Sequence, residues 1–381
     1  MIREVWRIEL GVGVGPFRLG ASIAEVLHAL KSRLPIRPFE VAYDSSEPYK
    51  RDVVVRSHED GLNLHFDPVQ QTLKFIEFYE VNRVALKFGR VVIFGGDIFA
   101  TFMSVYNLFG PTFPGHYDIV EKNYVLGYDG GCVKFSIPEE YQKLYQDCTD
   151  LPMEFPNGAT PAATGLDVFV GDDYRSPDLP SPIKKHYFEE VNVEIGDKQT
   201  LVTFSGRKQC LRLGCSPQEV VSELGSPLSV FRKSEDPNDG AVVAGGLNGE
   251  YFHNYPHLGL DILYNSMHRA SKVILKTNAL GHPDFGAYNK CNFRIKFPSL
   301  NAPHKSGADP QINLEITPQT PWKDICLVFN GASDTRPIIH DNGLGVHPFG
   351  PSLCYSPTPG CIFEVMKNGF IATVTLTSFR H

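Results

Sequence analysis

The segment Phe17-Arg-Leu-Gly-Ala-Ser-Ile-Ala-Glu-Val26 returns later in the chain as Leu211-Arg-Leu-Gly-Cys-Ser-Pro-Gln-Glu-Val220. Gly214 follows Gly20 by 194 residues, and Glu219 follows Glu25 by the same 194. A second set of blocks keeps a spacing of 198: Gly61-Leu-Asn-Leu-His-Phe-Asp67 against Gly259-Leu-Asp-Ile-Leu-Tyr-Asn265, and Lys74-Phe-Ile76 against Lys272-Val-Ile274. Two sets of blocks with one four-residue slip between them indicate an internal duplication, and such self-similarity decides architecture before any motif does.

Each copy carries a helix start. Ser22-x-x-Glu25 and Ser216-x-x-Glu219 have the spacing of a capping box, in which the Ser oxygen and the Glu carboxylate satisfy free backbone N–H groups at the first turn. Pro217 suits the first helical position. The apolar faces are Ile23, Val26, Leu27 and Leu30 in one helix and Val220, Val221 and Leu224 in the other, and Gly225-Ser-Pro227 stops the second. The strands that follow alternate as Leu62, Leu64, Phe66 and Leu260, Ile262, Tyr264, so one face packs and the other is wetter.

Fainter copies lie at Phe102 to Pro111 followed by paired strands around Asp129-Gly130-Gly131, and at Pro321 to Leu327, a short helix with Thr320 as N-cap. Cys361 to Val365, the turn Lys367-Asn-Gly369 and Ile371 to Leu376 form a hairpin. The fold class is therefore α+β, with repeated helix-plus-antiparallel-sheet modules. Residues 1–150 hold two of them, 211–381 hold two more, and the Pro-rich stretch 151–210 reads as a bridging β-segment.

Composition narrows the function. The 381 residues are 42% hydrophobic and 21% charged, as in a globular protein. With 36 Lys plus Arg against 43 Asp plus Glu, the net charge is −7, which argues against a nucleic-acid partner. The first ten residues lack the apolar run of a signal peptide, and no window nears the roughly 18 apolar residues of a membrane span. The eight cysteines include no C-x-x-C pair and read as free thiols of a cytoplasmic protein.

No catalytic motif stands out, and no cofactor or metal is expected. Gly11-Val-Gly-Val-Gly15 is followed by Pro16 and lacks phosphate-loop spacing, so it reads as a strand or turn. His253 and His257, four residues apart with Asp261 nearby, suit a metal or an acid–base site only on a helix, which Pro256 opposes. They are the residues on which an alternative, enzymatic reading rests, with its site between the repeat halves. Asp172-Asp173 and Glu189-Glu190 read as solvated charges, since neighbours on a strand point to opposite faces. Lys184, Lys185, Arg207 and Lys208 are candidate contacts to an anionic membrane surface. Phe109, Phe113, Tyr117, Tyr251 and Tyr255, in loops rich in Gly and Pro, are candidate partner anchors, because aromatic residues bury large areas with few rotors.

Several blocks closely resemble the phagosome assembly factor 1 family: Lys233-Ser-Glu-Asp236, Tyr251-Phe-His-Asn-Tyr255, Leu258-Gly-Leu-Asp-Ile-Leu-Tyr264, Thr277-Asn278 with Gly281-His282, Phe349-Gly350 and Ile362-Phe-Glu-Val-Met366. Gly11 to Phe17 and Phe109 to Gly115 are most similar to its plant and protist members. The resemblance implies a non-enzymatic adaptor of autophagy in the cytoplasm, recruited to the phagophore assembly site. It implies pairing with a WD-repeat β-propeller protein and association with phosphoinositide membranes, directly or through that partner. No catalytic residue is carried over. The Gly-rich stretch Ala241 to Gly249 departs from the longer, polar one of animal members. The helix-start motif also resembles that of BamE-like and β-lactamase-inhibitor-like modules, a likeness of fold alone.

Overall fold

Both Ser-x-x-Glu motifs close as capping boxes, with Glu25 N–H on Ser22 Oγ at 3.1 Å and Glu219 N–H on Ser216 Oγ at 3.3 Å. The computed structural model describes residues 4–110, 112–146, 150–196, 199–233, 249–297, 315–329, 336–340 and 350–378. Cys148, the loop from Pro298 to Pro310, Ser234 to Asp236, nearly all of Ala241 to Gly249 and His347 to Phe349 lie outside them. The chain divides into two compact units, Met1–Ile183 and Lys184–His381.

The first unit opens with β1 (Val5–Glu9), β2 (Gly13–Val14), β3 (Phe17–Arg18) and helix α1 (Ile23–Ser32). A meander follows, β4 (Glu40–Ala42), β5 (Val53–Ser57), β6 (Leu62–Phe66) and β7 (Leu73–Phe78), then the pair β8 (Ala85–Phe88) and β9 (Val91–Phe94). Helix α2 (Phe102–Phe109) leads to a second meander, β10 (His116–Asp118), β11 (Asn123–Tyr128), β12 (Gly131–Ser136) and, past the short α3 (Gln142–Tyr145), β13 (Ala163–Phe169). The second unit repeats the order: β14 (Glu190–Ile195), β15 (Thr200–Phe204), β16 (Gln209–Arg212), α4 (Pro217–Leu224), β17 (Ser229–Arg232), β18 (Tyr251–Tyr255), β19 (Leu260–Tyr264), β20 (Ala270–Lys276) and β21 (Asn292–Lys296). It ends with α5 (Trp322–Val328), β22 (Ile338–His340), β23 (Ser352–Thr358), β24 (Cys361–Val365) and β25 (Ile371–Thr377).

Sheet topology confirms the duplication. The large sheet runs β10-β11-β12-β13-β7-β6-β5-β4 in the first unit, and the corresponding strands β22-β23-β24-β25-β20-β19-β18-β17 keep that order in the second. The small sheet is β3-β2-β1-β8-β9 in one and β16-β15-β14-β21 in the other, each with one parallel pair, β1 with β8 and β14 with β21. Beyond β21 the described residues show the isolated bridge Ile295–Ile316. Gly61 and Gly259 sit in the same place before β6 and β19, both left-handed, at φ 65° and 69°. A Cβ on either would fall within 2.7 Å of a backbone oxygen, so glycine is required twice.

Four sequence expectations need correction. The two meanders of a unit are not separate sheets, since β7 and β13 pair and join them edge to edge. Residues 151–210 form no element of their own: β13 completes the first large sheet, and β14 to β16 open the second unit. Pro321 caps α5, and Thr320 instead bonds Thr317. Val221 is 36% exposed and lies outside the packed face that Val220 and Leu224 form.

The second core is built between the small sheet, α4 and one face of the large sheet: Val193, Phe204, Leu224, Tyr255, Ile262 and Val374 share it. In the first unit Trp6 on β1 meets Phe78 on β7, edge to face at 6.3 Å. Gly11 lies in the β1–β2 turn, where its N–H donates to Gly130 O at 2.8 Å, and a Cβ on Gly130 would strike Gly11 N at 2.3 Å. Those glycines serve close backbone packing. The seven described cysteines are free, Cys354 and Cys361 included. No helix of the described residues is long and apolar enough to cross a membrane.

Candidate functional site

Tyr251 and Tyr255 are core residues, which removes two of the five expected partner anchors. The stretch read as a loop is strand β18, whose alternation turns Tyr251, His253 and Tyr255 to the packed face. Tyr255 is wholly buried and donates its hydroxyl to Gly225 O at 3.1 Å. Tyr251 stacks on Tyr264 at 5.1 Å between ring centroids, and its hydroxyl meets His268 Nδ1 at 2.9 Å. Phe109 ends α2 stacked on Phe88 at 4.2 Å, and Tyr117 is half-buried on β10. Phe113, held by its N–H on Gly127 O at 3.1 Å, is 46% exposed and is the one exposed residue of the five.

His253, His257 and Asp261 do not converge. In the ladder His253 pairs with Ile262 and Asn254 with Asp261, so His253 and Asp261 occupy opposite faces of the sheet. Burial lowers His253 below its ordinary value, and its Nδ1 has no partner. Asp261 looks into an open pocket of about 620 Å³, where it accepts from Asn254 Nδ2 at 2.8 Å and from the Tyr288 hydroxyl at 2.9 Å. Burial raises its carboxyl, while the Lys276 ammonium 3.8 Å away is taken up by Asp284 at 2.6 Å. His257 lies in the one-turn 3-10 helix after β18.

The cations, by contrast, are brought together. Lys184 and Lys185 lead into a 3-10 turn ending at Tyr187, and Arg207 and Lys208 form the β15–β16 hairpin turn. Tyr187 is the centre: Lys184 Nζ stands 5.5 Å from its ring centroid, the His186 ring 4.0 Å and the His257 ring 4.9 Å. Burial, then the charges of Arg207, His186 and Lys184, hold His257 below the usual histidine value. One field therefore covers both sequence pieces.

Glu189, expected as a solvated charge, is the clamp of this cluster. Its side chain is 8% exposed, with Oε1 on Arg207 Nε at 2.6 Å and Oε2 accepting the Gly206 and Arg207 N–H groups. Arg207 Nη2 is buried without a hydrogen-bond partner, and Lys184, Lys185 and Lys208 are exposed. Lys184 at the Tyr187 ring and Arg207, whose charge also reaches His257, set a positive field there. Tyr187 escaped the sequence reading, and Glu189 and His257 were read there for other roles, because only the fold sets the three beside the hairpin.

A second missed feature repeats between the units. Glu364 on β24 accepts from Ser352 at 2.6 Å and Thr373 at 2.8 Å, with His282 and His340 each 3.3 Å from Oε1. Lys134, at the same bulge of β12, lies 2.8 Å from both Asp167 and Glu121. Among the described residues no group of three or more His, Cys, Asp or Glu is arranged to hold a metal.

Comparison with known proteins places this geometry. Residues 13–377 match the family model for phagosome assembly factor 1. A PHAF1 protein of Arabidopsis thaliana is 34% identical over 98% of this chain and 92% of its own length. PHAF1 proteins of Drosophila melanogaster and Caenorhabditis elegans are 29% and 27% identical, over 97% and 88% of this chain and 92% and 84% of their own lengths. No solved structure matches significantly. With a family model spanning nearly all of it and a relative above 30% identity, the chain belongs to the phagosome assembly factor 1 family.

Proposed function

We propose that this chain is a non-catalytic adaptor of autophagy that pairs with a WD-repeat β-propeller protein and, with it, associates with phosphoinositide membranes of the forming autophagosome. The family supports the setting, and the positive field of Lys184 and Arg207 beside Tyr187 and His257, with exposed Lys185 and Lys208 next to them in sequence, supports the lipid contact. Each cation near an anionic surface contributes about 1 kcal/mol. The three exposed lysines give about 3 kcal/mol, equivalent to a dissociation constant of about 6 mM. So the chain alone holds a membrane weakly, and a joint complex with the partner supplies the rest through effective concentration.

The test at the site is an NMR titration of the histidines with a soluble inositol phosphate headgroup. An anion seated at Tyr187 offsets the charges that hold His257 down, so the pKa of His257 rises toward 6.5. A His257 pKa that stays fixed at saturating headgroup rejects the seat.

A further inference from the structure

In the first unit an apolar surface lies between β9 and α2. Val91, Val92, Ile98 and Phe99 are each 37% to 55% exposed and line a cleft of about 360 Å³. Contiguous exposed apolar surface of this kind marks a contact site more often than it serves the fold.

The duplication provides an internal control. Thr101 caps α2 and Pro321 caps α5, 220 residues apart, and the same offset matches the packed residues Val105 with Ile325 and Phe109 with Phe329. At the outward positions it sets Phe99 against Gln319, Met103 against Lys323 and Tyr106 against Cys326. Gln319 and Lys323 stand at two of these positions in the second unit, so a helix start of this kind does not require apolar residues there. Leu327, 70% exposed opposite Asn107, is the exception in the other direction.

Backbone and charge define the occupant. β9 ends its sheet, and among the described residues no strand pairs with its far edge, so its backbone groups face outward as a template for another strand. Lys87, the cross-strand partner of Val92, stands beside the cleft, and Arg90 occupies the turn into β9. Neither has an ion-pair partner among the described residues. Asp97 flanks the opposite end.

We propose that the cleft binds an extended apolar segment of a partner protein, added as a strand on the free edge of β9, with an acidic residue of that segment beside Lys87 and Arg90. Strand addition draws affinity from main-chain hydrogen bonds and specificity from pockets for alternate side chains. The site lies wholly in the first unit and stands independently of the lipid contact proposed for the second.

The test pans the full chain against a phage-displayed library of random 12-residue peptides and measures the enriched peptides by fluorescence anisotropy. Enriched sequences should alternate apolar residues and carry an acidic flank. The pair Phe99→Gln with Val92→Thr, both at exposed positions of the cleft, should weaken them about tenfold or more at unchanged melting temperature. Arg90→Glu should weaken the acid-flanked peptides, and β9 amides should gain exchange protection on binding. If the pair proves unstable, Phe99→Gln alone serves. The proposal is overturned if nothing is enriched, if the peptides ignore these substitutions, or if the same substitutions abolish a reversible dimer, which would assign the cleft to a second copy of the chain.

Discussion

His253 separates a structural from a chemical role most sharply. It meets Tyr264 edge to face at 4.7 Å, its Nδ1 is unpaired, and burial lowers its pKa from the usual 6.5. A histidine depressed in the folded state takes up a proton more readily when unfolded, so stability falls as pH drops through 6.5 toward the folded value. His253→Phe keeps the ring and removes both the unpaired nitrogen and the proton. It should change stability by less than about 1 kcal/mol at neutral pH. It should also flatten the acid side of a melting-temperature profile below pH 6.5, where Glu77, held down at about 2, is still ionised. A loss of several kcal/mol at neutral pH would show that the imidazole nitrogens are needed.

At the scale of the element, the helix starts were legible because a capping box is local: three residues apart, Ser and Glu reach each other's backbone whatever the rest of the fold does. Ser216→Ala removes one such contact on a helix of eight residues and should cost about 1 kcal/mol, read as a shift in the denaturation midpoint. A cost near zero would mean that packing of Val220 and Leu224 alone sets that terminus. Pairing was less legible. Aligning Lys74 with Lys272 by identity is one residue out, because Lys74 and Ser271 are the unpaired residues of matching bulges. The ladders instead equate Ile76 with Val273, each buried, at an offset of 197. A bulge shifts which side chain faces the core without changing which residues look alike. The same limit explains Tyr251 and Tyr255: aromatic residues beside Pro256 and Gly259 suggest an exposed loop until strand pairing shows which face they take.

Over the whole molecule, duplication has left two units with one topology and different surfaces. The first carries the apolar cleft beside β9, and the second the positive field of Lys184 and Arg207 beside Tyr187 and His257. The architecture and the basic pieces were visible in the repeat and in short charge runs, whereas Glu189, Tyr187 and His257 depend on tertiary neighbours. The central claim is that this chain joins a β-propeller partner to a phosphoinositide surface. It is tested most directly by floating vesicles with the full chain and the β-propeller protein isolated on it from cells. On vesicles with a few per cent phosphoinositide both proteins should float together, the chain alone only weakly. Lys184→Glu, Lys185→Glu and Lys208→Glu combined, all at exposed positions, should cut recovery about tenfold and leave the pairing intact. Recovery of no β-propeller protein, or equal flotation of the charge-reversed chain, would contradict the account.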